Sequence, residues 1–288
     1  MGKTFPLFSR LAPYLLLLPA LTYLALLVGY PVLHAVVLSL TEEGSLTLTH
    51  FKRMIDDIHF AEALKFAFLL AGIIIPIQIL LAIAVSLLLY SRFRGSNICL
   101  YIFLIPLAIS DVAAALIWYN ILAGSGYLNK ILLRTGVVQE PIFFFGYAYR
   151  RMEVVAIVIT EIWRATAIVF VVIFAGLQMI GRDYLEAADI FGATTLQKIR
   201  YIILPMLKPS IQSAVIIRTL FAMQVFAVVW ILAGRDIPIL AGEAYYWQSE
   251  IRNPHVASCY ALLVAGFSIL LGYLYIKLLK PKYMEGGG

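Results

Sequence analysis

GRDYLEAADIFGATTLQKIRYIILPMLKPS, residues 181–210, is the one place where a very apolar chain turns polar in mid-course. Asp183 and Glu186 stand in D-x-x-E spacing, in which the first acid accepts from free N–H groups at a helix start while the second reaches back. The spacing predicts a short helix from about Tyr184, with Tyr184, Ala187, Ala188 and Phe191 forming one apolar face. Gly192 supplies the permissive backbone for a sharp turn. Thr194 and Gln197 repeat the capping pattern, so a second helix is expected at once, with Leu196, Ile199 and Ile203 on one side and Lys198, Arg200 and Lys208 off it. Pro205 and Pro209 are expected to close the segment, because proline lacks the N–H that an uninterrupted helix needs. The result is a helix, turn and helix between two hydrophobic stretches, small enough to plug into another protein's groove.

The rest of the chain reads as membrane. Of its 288 residues 62% are hydrophobic and 13% charged, against about 25% charged in a soluble domain. The expected class is an all-α integral membrane protein forming a single transmembrane domain over residues 1–288. Six apolar runs, near 11–40, 64–90, 98–122, 154–180, 211–233 and 257–279, are long enough to cross a hydrocarbon core that takes about 20 helical residues. The first is too long for a secretory signal and no small-residue cleavage site follows it, so it is expected to stay in the mature protein.

Lysine and arginine counts orient the spans. One side carries eleven bases and four acids, counting Lys3, Arg10, Arg92, Arg94, the loop at 181–210, Lys277, Lys280, Lys282 and Glu285; the other carries nine bases and ten acids. Both termini and the 181–210 loop are therefore expected in the cytoplasm. The net charge of +6 belongs to this asymmetry, since the bases are scattered through short loops without the clustering that nucleic acid requires. Cys99 and Cys259 fall at opposite faces in this topology, which excludes a disulfide between them. Outside, residues 41–63 hold a small amphipathic piece around Phe51, Met54 and Ile55. Residues 123–153 hold a Gly124-Ser125-Gly126 turn, a short helix to Leu133 and the aromatic run Phe143-Phe144-Phe145.

Glu186-Ala187-Ala188, then Gly192 after three residues, then Ile202-Ile203-Leu204-Pro205 resemble the EAA coupling loop of ABC importer membrane subunits. The flanks extend the resemblance toward the carbohydrate-importer branch: Leu15 to Leu18 before Pro19, Pro31, Phe51 ahead of Asp56-Asp57, Phe103-Leu104-Ile105-Pro106, Asn129-Lys130, and Trp163 before Ala175-Gly176-Leu177-Gln178. It covers nearly the whole chain. It implies a type I ABC importer fold with six transmembrane helices and a helix-turn-helix coupling loop between the fourth and fifth, in a plasma or inner membrane. It also implies a second, similar permease subunit, two ATP-binding subunits that use the ATP and Mg, and an extracellular or periplasmic sugar-binding protein. Glu186, Ala187, Ala188, Gly192 and Pro205 then take the ATPase-coupling role. Three departures stand out: Ala233-Gly234-Arg235-Asp236-Ile237-Pro238 where relatives have T-x-G-G-P, Phe226-Ala227 where they often have F-D, and Ala222, whose side chain has no hydrogen-bonding group.

No G-x-x-x-x-G-K-[ST] loop occurs, so the chain is expected to hold no nucleotide and to be no enzyme. His34, His50, His59 and His255 lack i, i+4 partners and read as isolated, with no metal set. Asp111, Glu161, Arg164 and Arg218 lie in spans, where ionisable groups are costly and mark function by default. Glu161 and Arg164 stand at i, i+3 and can pair; Glu161 and Asp111 are expected in outer halves, Arg218 in the cytoplasmic half of the fifth span. The resemblance places the substrate path along 163–168 and 218–226, giving Trp163, Arg164, Gln224, Arg218 and Trp230 as candidates, with packing or interface anchoring the alternative for the tryptophans. A second reading is an ion-gradient-driven transporter or channel using Asp111 or Glu161, which usually shows repeated halves; none is seen here.

Overall fold

Hydrocarbon supplies no partner for a free backbone N–H, so apolar runs of this length persist as helices. A computed structural model describes residues 6–91 and 93–278. Lys3, Arg92, Leu279, Lys280, Lys282, Glu285 and the terminal glycines, used above for orientation and span limits, lie outside the described residues. Contacts divide the chain into two units, Met1–Asp57 with Ala244–Leu263, and Ile58–Glu243 with Val264–Gly288.

In the first unit, α1 (Pro6–Leu24), a π-helical turn (Ala25–Gly29) and α2 (Tyr30–Leu40) make one continuous apolar span. Pro31 sits in the first turn of α2, where its missing N–H is tolerated after the wider turn. A hairpin, β1 (Thr41–Glu42) with β2 (Ser45–Leu46), follows. Its turn residues Glu43 and Gly44 both have positive φ, 49° and 82°, the backbone that a two-residue hairpin turn requires. α3 (Thr49–Ile55) buries His50 and Met54 and leaves Ile55 exposed. His50, read above as isolated, stacks on His255 with ring centroids 4.6 Å apart.

The second unit is organised by two long helices packed along each other, α4 (Phe60–Tyr90) and α8 (Arg150–Gln178). Between them in sequence come α5 (Ser96–Leu104) with a 3-10 turn (Ile105–Ala108), α6 (Asp111–Leu122) and α7 (Tyr127–Arg134). After α8 come α9 (Arg182–Ile190), α10 (Thr195–Lys198), a π-helical turn (Ile199–Ile203), α11 (Leu204–Ala222) and α12 (Ala227–Ala233). Two further helices, α13 (Leu240–Ser249) and α14 (Pro254–Leu278), end the described chain.

Four of the six predicted spans are continuous helices and two are broken. The third bends by 106° between Ser96–Ala108 and Asp111–Arg134. There Pro106 interrupts the bonding and Ser110, in extended backbone, caps a new helix by accepting from Ala113 N–H at 3.2 Å. The fifth bends by 51° between Thr195–Ala222 and Ala227–Ala233, with Met223 to Phe226 outside the helix.

Small side chains set the packing distance. Ala63, Ala67, Ala71 and Ala82 of α4 and Ala156, Ala165 and Ala167 of α8 are buried, as close helix contacts in membranes require. A Cβ on Gly176 would overlap Ser210 Oγ, so α8 and α11 touch nearly backbone to backbone. Two apolar clusters result: one holds Leu70, Ile74, Ala115, Ile157 and Val229, the other Ala82, Leu89, Phe170, Ile173, Leu177 and Leu207. A polar layer lies between them on α4, α8 and α11: Gln78 between Ile74 and Ala82, Glu161 between Ile157 and Val169, and Arg218 after Ala214 and ahead of Val228.

Candidate functional site

Glu161 is fully buried between two guanidinium groups. Arg218 Nη2 donates to its Oε2 at 2.5 Å, and Arg164 Nη2 to its Oε1 at 3.0 Å. Gln78 ties the pair to α4, its Nε2 donating to the Glu161 carbonyl at 2.8 Å and its Oε1 accepting from Arg218 Nε at 2.6 Å. Outward, Arg164 Nη1 donates to Asp111 Oδ1 at 2.6 Å. The order Gln78, Arg218, Glu161, Arg164, Asp111 thus joins α4, α11, α8 and α6 and carries two positive and two negative charges. Burial of such a set is tolerable because each charge faces an opposite one. Arg164 Nε is buried with no hydrogen-bond partner among the described residues.

A cleft of about 290 Å³ opens on this network. Asp111, Arg164, Arg218, Phe221 and Gln224 line it together with the apolar Pro106, Leu107 and Ile168. Both helix breaks meet here, since Pro106, Leu107 and Ile109 of one and Gln224 and Val225 of the other are wall residues. Non-helical backbone at membrane depth is tolerated where it lines a cavity, and the exposed Gln224 amide sits in such a stretch.

The cleft brings together Arg164, Arg218 and Gln224 of the sequence candidates, and leaves two aside. Trp163 lines a separate apolar pocket with Leu81, Val85, Ile102 and Phe103, and meets Trp118 edge-on at 6.0 Å. Trp230 packs on Phe226 at 5.7 Å. Arg218 does not lie at a different depth from Glu161, as the span limits implied, because it stands near the end of a helix that begins at Thr195. Sequence reasoning missed Gln78, and it held Phe221 within the path stretch 218–226 without singling it out. Gln78 had a signal, as the one amide in the apolar run 64–90.

The 181–210 loop is the second site. Its first helix starts at Arg182 and its N-cap is Gly181, with no side-chain cap, so Asp183 sits inside the first turn and acts there through the helix dipole. Gly192 has φ +73°. Gly192 N–H donates to Asp189 O and Ala193 N–H to Ala188 O, both at 2.9 Å, the paired closure of a Schellman turn. Thr194 and Gln197 form the expected reciprocal capping box. Lys198 Nζ, 2.7 Å from Asp189 Oδ1, clamps the two helices. Pro205 and Pro209 do not close the segment. The helix runs through both into the fifth span, and the π-helical turn at Ile199–Ile203 widens the backbone just ahead of Pro205.

Only part of the expected apolar face turns inward. Ala188 is buried and Leu185 packs on the cluster with Leu177 and Ile203, whereas Tyr184, Ile190, Phe191 (89% exposed) and Leu196 (73%) stay out. Glu186 is exposed and, with Arg182, Leu185 and Gln178, lines a polar cleft of about 600 Å³.

Residues 75–283 match the family described as the binding-protein-dependent transport system inner membrane component. The trehalose transport system permease protein SugA of Mycobacterium tuberculosis is 26% identical over 94% of this chain and 89% of its own length. The sulfoquinovosyl glycerol transport system permease protein SmoG of Agrobacterium fabrum is 30% identical over 95% and 92%. A solved bacterial ABC transporter that imports the acidic polysaccharide alginate contains a chain of the same fold, with TM-score 0.83 and 20% identity over 94% of this chain and 96% of that one.

Proposed function

Because the chain belongs to the binding-protein-dependent transport system inner membrane component family, we propose that it is one permease subunit of an ATP-driven sugar importer. It forms half of the translocation path, and a second permease subunit forms the other half. The relatives' sugar substrates support the cargo class. The cleft at the two helix breaks fits it chemically, with an amide, a carboxylate and a guanidinium beside an exposed Phe221 ring that can cover a sugar's C–H face.

Energy comes from two cytoplasmic ATP-binding subunits docked on residues 181–210, with ATP and Mg held there and no cofactor held here. The observation that carries this reading is the loop itself. Its backbone is closed by a Schellman turn and a capping box, while Phe191 and Leu196 remain exposed at the tip. Exposed apolar side chains on a rigid tip are groove-filling groups. Glu186 and Ala187 are exposed on this side of the loop while Ala188 packs inward and holds the first helix against the spans, Gly192 sets the angle, and Pro205 lies where the second helix joins the span. Both termini lie on the same cytoplasmic side, and an external binding protein delivers the sugar.

The test is uptake of a labelled disaccharide into proteoliposomes containing the assembled complex. Uptake is expected only with ATP on the loop side and binding protein on the other. Uptake by this chain alone, driven by a proton or sodium gradient, would replace the reading with a self-contained transporter using Asp111 or Glu161.

A further inference from the structure

We infer that the cleft selects uncharged sugars and that Asp111 is the residue that sets the choice, an inference that rests on the sugar-importer reading. A guanidinium fork would ordinarily make this cleft a place for carboxylate, sulfonate or phosphate groups. Here both guanidinium groups are already ion-paired inside the chain. Arg218 is spent on Glu161 and Gln78, and Arg164 on Glu161 and Asp111. No further Lys or Arg lines the cleft among the described residues, and the two wall arginines are balanced by Asp111 on the wall and by the buried Glu161 that pairs with both of them, so the four charges sum to zero.

The charged side chain most open to a ligand is an acceptor. Asp111 is 51% exposed and one of its oxygens holds Arg164, which leaves lone pairs at the cleft wall that only a donor can use. Sugar hydroxyls are donors. An anionic substituent has none to give and meets a like charge. Gln224, exposed in the helix break, offers both an amide donor and an acceptor, and more than half of the Phe221 side chain is free to lie under a ring. Acceptor, amide and aromatic face suit a polyhydroxylated neutral ring.

The experiment uses the assembled transporter in nanodiscs, so that the second subunit's wall is present, and omits the binding protein so that only the path selects. Equilibrium dialysis compares radiolabelled trehalose with the analogue in which one hydroxymethyl group is oxidised to a carboxylate. Wild type is expected to favour trehalose by about tenfold or more, the penalty of a like-charge contact. D111N keeps the side-chain shape at a half-exposed position and is expected to bring the ratio below about threefold. Equal binding of both sugars by wild type, or an unchanged ratio in D111N, overturns neutral selection and leaves the importer reading standing. Binding of neither sugar by a complex that still hydrolyses ATP overturns the sugar reading itself, and this inference with it.

Discussion

Behind the cleft, Glu161 and Arg218 find their charge partners inside the chain, in a series that runs from Gln78 at one end to Asp111 at the other. At residues 181–210 the backbone is closed by Gly192, Thr194 and Gln197, yet Tyr184, Ile190, Phe191 and Leu196 are left exposed. Both regions interrupt an apolar chain, but one pairs its charges within the chain and the other, on the proposed reading, is completed by a partner. Damage to the first should therefore appear as lost stability of this subunit. Damage to the second should leave the subunit intact and appear as lost assembly.

The largest expected effect lies in the ion-pair layer. Removing one partner of a buried pair strands the other and costs about 3–5 kcal/mol, whereas replacing both with apolar groups costs far less. Arg218→Met alone should sharply lower the thermal unfolding midpoint of the complex. Adding Glu161→Gln, which leaves Arg164 on Asp111, should restore more than half of the loss. A double variant no better than the single would show that the layer does not act as a unit.

Next is the crossing of α8 and α11, where Gly176→Ala places a methyl against Ser210. Overpacking of this kind costs about 1–3 kcal/mol, read as reduced yield of folded subunit. Ser210→Gly should recover it, and no recovery would place the strain elsewhere.

The loop gives smaller numbers and a different readout. Gly192→Val meets no neighbour within 4 Å but must hold φ +73°, a cost of about 1–2 kcal/mol for a side-chain-bearing residue. The expected result is loss of the co-purified ATP-binding subunit with the unfolding midpoint of the spans unchanged. Thr194→Ala removes the capping oxygen at about 1 kcal/mol. It should weaken that association by about fivefold, by the usual conversion of free energy to affinity. Equal loss of subunit stability in both variants would erase the contrast between the two regions.

Much of this was legible in the sequence because its signals are local. Thr194 and Gln197 announce a capping box by spacing, Gly192 a left-handed turn, and the apolar runs their helices. The misses were tertiary. Asp183 resembles a cap, but the helix starts two residues earlier than expected, at Arg182, with Gly181 at the cap position. Pro205 and Pro209 read as stops, but a π-helical turn carries the helix through them. The break at Met223 to Phe226 contains neither glycine nor proline, so nothing local marked it. Continuity through the prolines is also what raises Arg218 to the level of Glu161, so the cleft's central ion pair was hidden behind a misplaced helix end. Gln78 was hidden for another reason, since a single amide in an apolar run states that it needs a partner and not which one.

The central claim, that residues 181–210 join the sugar cleft to an ATP-driven engine, is tested most directly by sugar imported per ATP hydrolysed in proteoliposomes of the assembled complex carrying Glu186→Lys. Glu186 is exposed beside the polar cleft behind the loop, so the reversal leaves the spans untouched. The account predicts folded, inserted subunits that retain less ATP-binding partner and import several-fold less sugar per ATP. Full partner retention with the wild-type ratio would contradict it and reduce the loop to a surface hairpin.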